Sequence, residues 1–142
     1  MAFLANKMNR TIKFRGKSIY GEDWLYGSLV KIEKDRYAVI PPLNNIEIGK
    51  SIGMYEVYPE TVGQFTGLFD KNGKEIYEGD ILHTITFGFE PEEYTAIILY
   101  DNCRFQLSNG RNLFYFGQSD LTKMDDTIVI GNIYDNPELI IP

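Results

Sequence analysis

The chain has 142 residues, 14 basic and 20 acidic side chains, enough for one ordinary domain or two very small ones. A fold of this size hides roughly two-thirds of the surface its unfolded chain exposes, so a core is expected without staples, and the one cysteine cannot form an internal disulfide. Hydrophobic residues at 44% and charged residues at 24% exclude a disordered or collagen-like chain, and no stretch approaches the ~18 uninterrupted apolar residues of a transmembrane helix.

Met1 to Ala5 is apolar but too short for a signal peptide, and no basic residue precedes it, so a cytoplasmic location is expected, with no membrane partner. Residues 1–8 read as a flexible extension, 9–60 as an N-terminal β subdomain and 61–142 as a C-terminal one; the two packing as a single domain is the other arrangement. The net charge of −6 argues against an obligate nucleic-acid binder. Residues 1–17, however, hold five basic side chains, Lys7, Arg10, Lys13, Arg15 and Lys17, and no acidic one. Such an arm can contact nucleic acid or an acidic partner. The plainer alternatives are an edge strand protected by its charges, or an arm lying on the protein's own acidic surface.

Apolar residues alternate with period two and show no sustained helical spacing, which predicts a mainly β chain with little helix. Trp24–Ile32 and Tyr37–Ile40 flank a charged turn and predict a hairpin, ended by Pro41-Pro42. Ile52 to Tyr58 is the next strand. Asp70-Lys71-Asn72-Gly73 predicts a β-turn capped by its polar side chains, with Gly73 at positive φ, and not a calcium loop. The glycines of Gly63-Gln64-Phe65-Thr66-Gly67 predict a bulge or bend in place of a phosphate cradle. Ile81 to Phe87 alternates. Tyr94 to Tyr100 is apolar on both faces and reads as a central strand. Cys103, Phe105 and Leu107 face one way, with Arg104, Gln106 and Ser108 opposite, up to a Ser108-Asn109-Gly110 turn. Thr127 to Tyr134 forms the last strand, and Asn136 caps a helical turn opened by Pro137. Residues 16–25 and 73–82 align without gaps and agree at Gly, Lys, Ile, Tyr, Asp and Leu; this echo raises a duplicated β unit, against chance convergence of turn chemistry.

Candidate chemistry is sparse. His83 is the only histidine, which excludes multi-histidine metal sites; its parity places it with Ile81 and Ile85, and it and Cys103 read as core side chains in preference to a base and its nucleophile. Glu90, Glu92, Glu93, Asp125 and Asp126 read as solvated turn charges. No cofactor or metal is called for, and no catalytic residue is assigned. Of twenty aromatics, most are expected in the core, with Tyr20, Trp24 and Tyr26 as the best candidates for a stacking platform near the basic arm.

Ile12-Lys-Phe-Arg-Gly-Lys17, Trp24-Leu-Tyr-Gly-Ser-Leu29, Thr61–Leu68 followed by Asp70–Ile81, and Ile130–Leu139 occur in an order that resembles the YopX family of phage and prophage proteins, over residues 9–140. The resemblance implies a phage or prophage origin, small SH3-like β-barrel modules, and no established enzymatic activity. The expected function is a non-enzymatic protein-interaction module for a host or phage protein, with self-association into a homo-oligomer as a related outcome. The alternative is a nucleic-acid-binding accessory protein of phage replication or transcription that uses the basic arm; imitation of DNA by the acidic surface ranks below it, and an enzyme last.

Overall fold

The structure is a computed structural model that describes residues 10–43, 51–85, 90, 92–108, 113–115 and 126–140. Eleven strands are named among them, and the only helical pieces are short 3-10 turns such as Pro59–Thr61 and Pro137–Leu139. The first sheet contains β1 (Phe14–Lys17), β2 (Trp24–Glu33), β3 (Arg36–Ile40), β4 (Tyr55–Val57), β5 (Gly63–Phe69) and β6 (Glu75–Tyr77), in the order β4-β3-β2-β1-β5-β6. The second contains β7 (Asp80–Ile85), β8 (Glu93–Asp101), β9 (Arg104–Ser108), β10 (Leu113–Tyr115) and β11 (Ile128–Asn132), in the order β10-β9-β8-β7-β11. All named pairings are antiparallel, so the mainly β expectation holds; the strands form two sheets and not one closed barrel.

The first sheet curls at one edge. Ser18, just past β1, bridges Val57 of β4; Ile19 N donates to Glu56 O at 3.2 Å and Tyr58 N to Lys17 O at 2.9 Å. β4 therefore has hydrogen-bonded neighbours on both sides, which covers an otherwise open edge. The sheet also continues through the expected boundary at residue 60, because β5 pairs with β1. Ile76 of β6 packs with Leu82, Ala96, Ile98 and Leu107 of the second sheet, all fully or nearly fully buried, and each of the larger side chains contributes about 1.5–3 kcal/mol on leaving water.

Local turn chemistry follows the sequence at several points. Asp70 accepts hydrogen bonds from Asn72 N and Lys74 N through Oδ1, at 2.8 and 2.9 Å, and Gly73 takes φ +80°. Gly67 takes φ +86° where the β5–β6 register shifts between Phe65 and Phe69, the expected bulge. Trp24–Glu33 and Arg36–Ile40 form the expected hairpin.

Elsewhere the fold departs from what the sequence predicts. Cys103 is exposed in the two-residue turn between β8 and β9, where Asn102 and Cys103 have φ +50° and +64°, so it belongs neither to the strand nor to the core. Gln106, expected outward, is buried, because its Nε2 reaches back to Asp101 O at 3.0 Å and so carries its hydrogen bond inward. His83 is partly open, with its side chain 38% exposed and 3.9 Å from Glu93; its neighbour Thr84 is buried, and its hydroxyl meets that of Thr127 at 2.7 Å. Asn136 does not cap its 3-10 turn: its Oδ1 accepts from Asn132 N at 3.2 Å. Ile52–Tyr58 contributes only Tyr55–Val57 to a strand. Phe87, Asp125, Asn109 and Gly110 lie outside the described residues.

Candidate functional site

Lys13, Arg15 and Lys17 alternate along the chain, so a strand turns all three to one face. Arg15 and Lys17 lie in β1 and Lys13 directly precedes it, and β1 is interior to the sheet, between β2 and β5, not a free arm or an edge. Each cation meets one carboxylate from far along the chain. Lys13 pairs with Glu75. Arg15 NH1 reaches Asp80 Oδ1 at 2.9 Å, and Lys17 Nζ reaches Asp135 Oδ1 at 2.7 Å. Arg10 is exposed at the start of the described chain, and Lys7 lies outside the described residues.

Arg15 is the centre of this arrangement and is only 5% exposed, so its charge serves the interior and not an outside partner. Its Cζ sits 4.7 Å from the Trp24 ring centroid and 5.0 Å from that of Tyr77, within cation–π reach of both. NH2 donates to Glu78 O at 3.4 Å. Gly63, directly opposite Arg15 in the register, allows that backbone to approach, since a Cβ there would lie 2.5 Å from Glu78 O. Asp80 also accepts from Tyr77 N at 2.8 Å. Burial pushes the Asp80 carboxyl above its usual range, against the pull of Arg15 and the Tyr77 amide. Burial likewise raises the Tyr77 and Tyr134 phenols.

Asp135 forms a second node. Its Oδ2 accepts from Trp24 Nε1 at 2.7 Å and Asn132 Nδ2 at 3.2 Å, while the Tyr134 ring lies tilted against that of Trp24 with centroids 5.8 Å apart. Burial alone would raise the Asp135 carboxyl, but the hydrogen bonds from Lys17, Trp24 and Asn132 outweigh it and hold the group low. The same hydrogen bond raises the Lys17 ammonium. The four sequence motifs that carry the family resemblance thus meet in space: the first supplies Arg15 and Lys17, the second Trp24, the third Tyr77 and Asp80, the last Tyr134 and Asp135. Asp80 and Asp135 were not recognisable as site residues from spacing, because each lies alone among turn residues.

On the same side of the sheet lies a row of aromatic rings. Tyr26 and Tyr77 have centroids 5.4 Å apart, Tyr77 and Phe65 5.5 Å, and Phe65 and Phe69 5.6 Å. The register explains the row: Tyr26 is opposite Arg15, and Phe65 is opposite Tyr77. Its ends are open, with Tyr26 42% and Phe69 51% exposed. A shallow cleft of about 120 Å³ beside Tyr26 is lined by Arg15, Tyr26, Lys74, Glu75 and Tyr77. The expected platform of Tyr20, Trp24 and Tyr26 is not one surface, for Tyr20 is 83% exposed in a turn and Trp24 is engaged by Arg15 and Asp135. Phe65, Phe69, Lys74 and Glu75 escape sequence reasoning, since only pairing of β5 with β6 brings them beside Tyr26.

On this face Lys13, Arg15 and Lys17 are each paired with a carboxylate. Among the described residues no group of three or more histidine, cysteine or acidic side chains could hold a metal ion, and no helix is long and apolar enough to cross a membrane.

Comparison with known proteins agrees with the motif reading. The crystal structure of protein EF1440 from Enterococcus faecalis is similar, with a TM-score of 0.60 and 30% sequence identity over 94% of this chain and 100% of that one. No curated protein matches. The family model described as YopX protein matches residues 13–141, the span in which all three β1 ion pairs and the aromatic row are built, and the chain belongs to the YopX family.

Proposed function

We propose that the protein is a non-enzymatic interaction module, phage- or prophage-encoded and working in the cytoplasm of a bacterial host, which binds a host or phage protein by surface complementarity. The observation that supports this is the row Tyr26–Tyr77–Phe65–Phe69, open to solvent at both ends and set on a sheet crossed by ion pairs. Aromatic rings on a rigid base supply large contact area at little entropic cost. A nucleic-acid role draws less support, because Lys13, Arg15 and Lys17 each already face a carboxylate of the same chain.

The test is affinity capture from a bacterial host lysate, with and without nuclease, using the wild type and a Tyr26→Ala/Phe69→Ala variant. A discrete protein that survives nuclease and is lost with the variant is the expected result. Retention that collapses with nuclease would transfer the role to nucleic acid, and retention indifferent to the variant would remove it from this face.

A further inference from the structure

We propose that Asn72-Gly73 is a self-modification site: the asparagine converts to isoaspartate without an enzyme, at a rate that Asp70 holds down while the turn is closed. Both residues are exposed at the tip of the turn between β5 and β6. Gly73 has no side chain to shield its nitrogen, and it takes φ +80° in open space, with no atom within 4 Å of the place a Cβ would occupy. The step is an intramolecular acyl transfer, with nucleophile and acyl carbon held close by the chain itself. The Gly73 nitrogen loses its proton and attacks Cγ of Asn72, the side-chain nitrogen leaves as ammonia, and a succinimide ring closes. Water then opens that ring at either carbonyl. Opening at Cγ gives aspartate in the original chain path. Opening at the main-chain carbonyl gives isoaspartate, whose backbone runs through Cβ and Cγ and is one carbon longer.

The turn opposes the first step. Gly73 N donates to Asp70 O at 3.0 Å, a bond that must break because the succinimide nitrogen carries no hydrogen. Asn72 N and Lys74 N are held on Asp70 Oδ1 at 2.8 and 2.9 Å, which fixes the main chain on both sides of the reacting pair. The same turn reaches the second sheet, for Lys71 N donates to Thr127 O at 2.9 Å and Val129 N to Asp70 Oδ2 at 3.0 Å. Isoaspartate does not fit this arrangement. Its extra carbon displaces Lys74 N from Asp70 Oδ1, and its carboxylate sets a second negative charge beside that of Asp70, where the two repel. Conversion therefore loosens the tie between the turn and β11, and loss of ammonia makes the change permanent.

The experiment incubates the full chain, its Asp70→Ser variant and a capped peptide of residues 68–76 in mildly alkaline buffer, and follows them by mass-spectrometric peptide mapping and isoaspartyl methyltransferase labelling. The map separates this site from Asn109-Gly110, the other such pair in the chain. The folded chain should convert about tenfold more slowly than the peptide, since one hydrogen bond must be given up before attack. Asp70→Ser should recover most of that difference. Chain enriched in isoaspartate should melt at a lower temperature than fresh chain and exchange its Val129 amide hydrogen faster. Isoaspartate at 72 in the peptide but in neither form of the chain, equal rates in chain and peptide, or an Asp70→Ser rate no faster than that of the wild type would each overturn the proposal. So would converted chain whose Val129 amide exchanges no faster than before. The comparison of folded chain with peptide needs no variant, so it decides the question if Asp70→Ser fails to fold.

Discussion

Arg15 and Asp80 form the ion pair whose loss is most costly, because neither charge can retreat to water. Arg15→Ala would leave a buried carboxylate without its cation, and urea denaturation should show a loss of about 3–5 kcal/mol. The double variant Arg15→Met/Asp80→Leu should be more stable than Arg15→Ala, since it removes both charges together. Asp70 acts differently, as an acceptor for three backbone amides: Asn72, Lys74 and, through Oδ2 at 3.0 Å, Val129 of β11. Burial alone would raise its carboxyl, but the three amides and Lys74 outweigh it and hold the group below the ordinary 3.8. The stability it contributes is therefore complete above that ordinary value and is lost as pH falls through its lower folded value. Asp70→Asn turns an N–H toward one of these amides and should cost about 1–3 kcal/mol at neutral pH, with a flatter stability curve below about pH 4 by thermal melts. At this scale the cations were legible and their partners were not. Lys13, Arg15 and Lys17 show their common face by parity, whereas Glu75, Asp80 and Asp135 are brought to them only by tertiary pairing.

Two glycines separate the causes of strand geometry. Gly67, at φ +86°, is surrounded by open space: a Cβ there would meet no atom within 4 Å, so Gly67→Ala carries a conformational cost alone, about 1–2 kcal/mol, and Gly67→Asn should cost less. Gly27 in β2 is a close approach: a Cβ there would lie 2.0 Å from Ile40 O, so Gly27→Ala must push β2 and β3 apart. Differential scanning calorimetry should show a larger fall in Tm for Gly27→Ala than for Gly67→Ala. Strand positions were readable wherever alternation ended at a strong turn, as at Pro41 or Asp70-Lys71-Asn72-Gly73. They failed where a polar side chain found a local partner, as Gln106 did on Asp101 O, or where a turn claimed a residue with strand-like parity, as at Cys103. The two echo segments each lead into a strand, β2 at Trp24 and β7 at Asp80, yet Tyr20 is exposed and Tyr77 buried.

For the molecule as a whole, the charge of −6 and the internal pairing of β1 act in the same direction. Fluorescence anisotropy with single- and double-stranded DNA should give affinity no tighter than about 10⁻⁴ M at physiological salt. Lys13→Glu and Lys17→Glu should then lower thermal stability without any DNA affinity to remove. The family and the β class were legible because motifs and alternation are local properties. The pairing of β1 with β5 and the aromatic row were not, because register between distant strands has no local signature.

The clasp at Asp135 also orders events in time. Lys17 and Asp135 stand 118 residues apart, which at about 5–20 residues per second represents roughly 6–24 s of synthesis. Throughout that interval Lys17 and the Trp24 indole have been made and the carboxylate that they share, in the turn after β11, has not.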